Sequence, residues 1–181
     1  MTSKLKVNLI NDGGDNNIFT SDGSGVITSS KFKIGQVLST TKTDSFQTTS
    51  TSVTDITGLS VAITPTSTSS KVLVIVDGNV SDSGPTYEAA MKMFRDSTEI
   101  CKGTNGSATN IGFDNARRNS GGNESKKFAM TFLDSPNTTS STTYKIAIKV
   151  DQSGSTFNVN RTNTSNNSSL VSTITVMEVL P

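Results

Sequence analysis

Six carboxylates along the middle of this chain are the residues that could do chemistry: Glu88, Asp96, Glu99, Asp114, Glu124 and Asp134. Two carboxyl groups held about 5 to 9 Å apart would suit glycoside hydrolysis, one as acid and the other as base or nucleophile. Their spacing gives no grouping, and no Trp is present to form a sugar platform. Histidine is absent altogether. That removes the usual general base, the usual triad and the commonest metal ligand together. The single cysteine, Cys101, allows neither an intrachain disulfide nor a structural zinc site within one chain. It sits in STEICKG and reads as a small core residue.

Two further patterns fall short of a site. DGGDNN, Asp12 to Asn17, offers oxygen donors of the kind calcium takes. It lacks the ligand spacing and closing Glu of an EF-hand loop, so a hairpin turn is the expectation. GSG at Gly23 to Gly25 and the pair Gly121 and Gly122 also read as turns, since neither follows a phosphate-loop pattern. The sequence therefore points to no enzyme, no cofactor and no metal. Asn-x-Ser/Thr triplets such as those at Asn105 and Asn137 are expected by chance in so Asn- and Ser-rich a chain.

The elements that would carry these residues are strands. The chain has 181 residues, enough for one domain and a small appendage. Ser, Thr and Asn make up roughly 40% of it, far above ordinary globular usage. Hydrophobics are only 31% and aromatics 6%. So lean a core suits a thin sandwich, or a subunit that completes its core by association. Disorder is not the reading, because the apolar residues fall in short alternating runs. Thr is β-branched, which favours extended backbone, and its hydroxyl can face water without repelling neighbours. Thr- and Ser-rich stretches, Ser39 to Thr54 and Thr64 to Ser70, run into the strand patterns LSVAI and KVLVIV. The net charge of +1 gives no basic excess for nucleic acid, and the adjacent pairs Arg117–Arg118 and Lys126–Lys127 read as solvated. No apolar run approaches the ~20 residues that cross a membrane. MTSKLKVNLI is too short and polar for a signal peptide, so synthesis in a cytoplasm without export is expected.

Residues 1–33 read as an arm and 34–181 as a β-sandwich domain. The arm holds short strands at KLKVNLI, NIFT and VIT, with Leu5, Val7, Leu9, Ile18, Phe19, Val26 and Ile27 as its apolar residues. Strands this short cannot bury a core alone. In the main domain, Phe46, Val53 and Ile56 are expected to point inward, and Gly58 to break the chain before Leu59, Val61 and Ile63. Lys71 to Val80 is apolar on both faces and reads as a central strand. TYEAAMKMFRD holds helix formers, but it alternates and leads through a DST turn into EICKG, so it reads as a strand. KKFAMTFLD and TTYKIAIKVD flank SPNTTSS and read as a hairpin. LVSTITVMEVL is the last strand. Gly103 to Ser125 has no strand or helix pattern, and so long a loop is commonly functional. The sum is an all-β antiparallel sandwich of jelly-roll type, with no helix of consequence.

The stretch IGQVLSTTKTDSFQTTSTSVTDITGLSVAITPTSTSSKVLVI, Ile34 to Ile75, resembles the fibre and virion structural proteins of tailed bacteriophages, especially those of marine hosts. TFLDSPNTTSSTTYKIAIKV and VNRTNTSNNSSLVSTITVMEV resemble the same group, so most of residues 34–180 is covered. The opening KLKVNLINDGG is similar to the short segment with which such proteins begin. The resemblance implies a virion component, typically a homotrimer of β-rich subunits, and carries no catalytic residue across. On that reading the arm docks on other virion proteins or interleaves with its copies. The long loop, with Asn105, Asn110, Phe113, Asp114, Arg117, Arg118 and Asn123, would meet a host surface glycan or protein. A capsid decoration, cement or head-fibre protein is the alternative within the virion. A bacterial adhesin or carbohydrate-binding module is the alternative outside it. The absence of Trp and the two Tyr weigh against sugar stacking.

Overall fold

The computed structural model describes residues 9–21, 23–24, 27–28, 33–83, 88–104, 112–117, 125–154, 156–162 and 170–181. Fourteen strands and no helix lie among them. Among the described residues, β1 (Leu9–Asn11), β2 (Asn17–Ser21) and β3 (Ile27–Thr28) pair only with one another, as an antiparallel three-stranded sheet. The turn between β1 and β2 is DGGDNN, where the Asp12 carboxylate accepts from the backbone N–H groups of Gly14 (2.8 Å) and Asn16 (2.9 Å). Those bonds, that of Asn16 first, hold Asp12 below the usual carboxylate range. Its oxygens close a turn, and Asp15 beside them takes the left-handed conformation, with φ 59°.

The remaining strands are β4 (Ile34–Lys42), β5 (Phe46–Thr48), β6 (Thr54–Ile63), β7 (Lys71–Ser83), β8 (Glu88–Arg95), β9 (Thr98–Ile100), β10 (Asp114–Arg117), β11 (Ser125–Asp134), β12 (Thr142–Val150), β13 (Thr156–Val159) and β14 (Ser172–Val179). They form two antiparallel sheets. In the first, β11 takes one edge of β7, and β14 and β13 lie end to end along the other. β4 and β5 continue the sheet beyond β14 and β13. In the second, β12 lies between β6 and β8, and β9 and β10 follow end to end along the far edge of β8. Counting the end-to-end pieces as one strand each, the sheets hold four strands apiece. Counted so, the chain passes from sheet to sheet at nearly every step, staying in one only from β8 into the strand made of β9 and β10. This is the connectivity of a jelly roll.

One core fills the space between the sheets. Val72, Val74, Val76, Ile174, Val176 and Phe128 line it from the first sheet; Ile56, Leu59, Ile63, Met91, Met93, Tyr144, Ile146 and Ile148 line it from the second. β7 is central and apolar on both faces, as its sequence predicts, though Leu73 and Ile75 on its outer face are only half-buried. β8 is a strand, with Ala89, Met91 and Met93 all facing the core.

Three local expectations change. KKFAMTFLD and TTYKIAIKVD do not form a hairpin: β11 pairs with β7, β12 pairs with β6 and β8, and the link between them crosses from one sheet to the other. Alternation followed by a polar turn reads the same whether two strands lie side by side or face each other over a core. Gly58 does not end a strand. It lies inside β6 with φ 82°, where the register against β12 jumps from Ser60–Lys145 to Asp55–Ala147. The positive φ that only glycine adopts cheaply makes a bulge here, not a stop. Val53 is exposed, lying just before β6, whereas Ile56 is buried and Phe46 packs against the core.

Candidate functional site

Four of the six carboxylates bond within the scaffold. Asp134 ends β11 buried in the core, accepting from Arg95 Nη1 (2.9 and 2.8 Å) and from the Tyr144 hydroxyl (2.7 Å). Glu99 accepts from the buried Lys92 at 2.8 Å. Asp96 accepts the backbone N–H of Thr143 (2.8 Å), and Asp114 pairs with Lys126 (3.2 Å). Glu88 begins β8 beside Asp151, and Glu124 lies outside the described residues. Among the described residues no three His, Cys, Asp or Glu side chains group as a metal site. Cys101 is half-buried against the core just after β9, and burial pushes its thiol pKa up.

Sequence reading missed one buried acid. Glu178, on the inward face of β14, is fully buried. It accepts from Gln36 Nε2 (2.9 Å), the Thr66 backbone N–H (2.6 Å) and the Thr66 hydroxyl (2.7 Å). Burial by itself raises its pKa; the Gln36 and Thr66 donors more than reverse that and hold it at about 2. The carboxylate thereby ties β4, the 64–70 link and the last strand together. Gly35 makes room for it, because a Cβ there would stand 2.9 Å from Glu178 Oε2. The only sequence signal was a charge at an inward position of an alternating strand.

Of the expected contact-loop residues, the structure places three in the fold. Phe113 is half-buried and stacks on Phe128 at a tilt, with ring centroids 6.4 Å apart. Asp114 and Arg117 bound β10, so the segment from Gly103 to Ser125 is not structureless throughout. The Phe113 backbone N–H donates to the Met91 carbonyl, and Gly112 sits so close to that carbonyl that a Cβ would meet it at 2.2 Å. Asn105, Asn110, Arg118 and Asn123 lie outside the described residues. In the arm, Leu9 is 51% exposed, Ile10 and Phe19 are exposed and Ile18 is half-buried. Ile27 lies in β3, and Leu5, Val7 and Val26 lie outside the described residues.

The two outer faces of the sandwich differ in chemistry. On the second sheet, Lys145 bonds Asp55 at 2.6 Å and sits over the Phe94 ring, and Lys92 pairs with Glu99. The first sheet carries an aliphatic row across all four strands. Val37 pairs with Met177, Met177 with Leu73, and Leu73 with Leu133. Val37 is 53% and Leu133 46% exposed. The next row is Ser39, Thr175, Ile75 and Thr131, also without charge. Ile34, exposed, and Val179 add to the row's other side. In the arm and in this row the described surface is apolar over several neighbouring residues.

No family model and no curated protein matches the sequence. Among solved structures, one similar chain belongs to the structure of infectious bursal disease virus Gt strain, at 12% identity and a TM-score of 0.41. The match covers 87% of this chain and 41% of that one, so this chain spans well under half its neighbour's length.

Proposed function

We propose that this chain is a non-enzymatic structural subunit of a bacteriophage virion, a tail-fibre or fibre-tip protein working as a homotrimer. The arm joins it to its copies and to other virion proteins, and the sandwich projects outward to meet a host surface. One observation carries the reading. The arm's sheet has three strands of two to five residues and leaves Leu9, Ile10 and Phe19 in water, beside a sandwich whose own core is closed. Apolar burial is worth about 25 cal/mol per Å², so the apolar area that each arm buries against two other copies adds up across a trimer. The phage-like phrase order over residues 34–180 supplies the virion setting. Light scattering on the whole chain and on one lacking residues 1–33 tests the reading. A trimer for the first and a monomer for the second are expected; a monomer for both refutes arm-driven assembly.

A capsid decoration or cement protein is the second reading. The inward turn of Phe113 and the pairing of Asp114 with Lys126 favour it, since both remove contact residues from the expected host-binding loop. The position of the subunit in a map of the particle separates the two.

A further inference from the structure

We propose that the outer face of the first sheet stacks on the same face of a second copy, about a two-fold axis running across the strands. The rows through Leu73 and Ile75 form a surface four strands wide with no charge and no aromatic ring. Without rings it is no sugar platform. As the face of a sheet it is no groove for a helix or peptide. Uncharged sheet faces, here five aliphatic residues with three hydroxyls among them, pack on each other with strands nearly aligned.

The charges at the ends of the face select the partner. On β7, Lys71 bounds the uncharged stretch at one end and Asp77 at the other, about 20 Å apart at 3.3 Å per residue. A two-fold axis level with Val74 sets Leu73 over Ile75 of the second copy. It also sets Lys71 over Asp77 of the second copy, at both ends at once. Asp77 already accepts from Lys127 at 2.9 and 3.1 Å, but that pair is exposed and Asp77 can take a second donor. Area sets the strength. Three inter-strand gaps give about 14 Å of width, so the footprint is roughly 300 Å², well below the ~800 Å² per partner of a stable dimer. The contact is weak between free chains and counts where many copies are already held together. It goes beyond arm-driven assembly and does not depend on it.

Sedimentation equilibrium on the whole chain tests this. The wild type is expected to show a concentration-dependent association step that Leu133→Lys weakens at least about tenfold. Ser60→Asp, on the outer face of the other sheet, should leave that step unchanged. Lys71→Glu should weaken it, and Lys71→Glu with Asp77→Lys should restore it. If Leu133→Lys disturbs folding, Leu133→Ser removes the apolar group without adding charge. No concentration-dependent step in the wild type, or the same step in the Leu133 variants, overturns the stacking whatever the arm does. Failure of the double charge reversal to restore the step overturns the two-fold register.

Discussion

The Tyr144 hydroxyl reaches across the core to donate to Asp134 Oδ2 at 2.7 Å, joining a strand of one sheet to a strand of the other. Arg95, from the Tyr144 sheet, donates to both oxygens of the same carboxylate. Tyr144→Phe removes a donor to a buried acid while keeping the ring, and should cost about 1 to 3 kcal/mol. Asp134→Ala should cost more, since it strands both Tyr144 and Arg95. Urea unfolding measures both. Equal midpoints for Tyr144→Phe and the wild type would show that the bond adds nothing.

The same phenol makes the fold sensitive to alkali. Burial first, and the bond to Asp134 second, push the Tyr144 pKa well above its ordinary 10. The unfolded chain ionises near pH 10, and the folded chain keeps its proton. The contribution to stability is therefore fully present below pH 10 and lost as the pH rises beyond it. The stability gap between wild type and Tyr144→Phe should narrow above pH 10 and stay constant between pH 6 and pH 9. A gap flat throughout would contradict the assignment.

Glu178 acts at the other end of the scale. Its pKa is lowered from 4.5 to about 2, so its contribution is complete above pH 4.5 and fades as the pH falls toward 2. A shift of that size corresponds to on the order of 3 kcal/mol. Glu178→Gln removes the charge and sets an amide against the Thr66 donors. It should be less stable than the wild type at pH 7, and the difference should shrink between pH 4.5 and pH 2. Thermal unfolding across that window measures it; a difference independent of pH would place the contribution elsewhere.

Strand existence was legible in this sequence because Val, Ile and Thr alternate in short runs, and the jelly-roll class followed from their number. Which strands share a sheet was not. Phe128 to Phe132 and Tyr144 to Val150 alternate alike, and only the core between them decides that they face each other. Buried polar residues were the other gap. Asn160 takes φ 61°, donates to the Lys42 and Asp44 carbonyls and accepts from the Ser172 hydroxyl. In an Asn-rich chain its type gave no sign of this. The outer row Val37, Met177, Leu73 and Leu133 was hidden for the same reason, since its members come from four separate segments and meet only through the register.

Gly78 gives the sharpest test of how tightly the core is filled. It sits within β7, where glycine would ordinarily weaken a strand, and lies opposite Phe128 on β11. A Cβ at Gly78 would stand 2.2 Å from Phe128 Cζ and 2.6 Å from Ser172 Oγ. Neither neighbour can easily give way. Phe128 is buried and stacked on Phe113, and Ser172 is held by its bond to Asn160. Gly78→Ala should therefore destabilise by about 1 to 3 kcal/mol, although Ala suits strands no worse than Gly. Phe128→Leu should also destabilise, by loss of buried area. Combined with Gly78→Ala it should cost less than the sum of the two single changes, because the smaller side chain vacates the space that the new methyl needs. Urea midpoints for the two single variants and the double variant decide this. Strict additivity would mean that Gly78 serves the backbone alone and that Phe128 is not what excludes a side chain there.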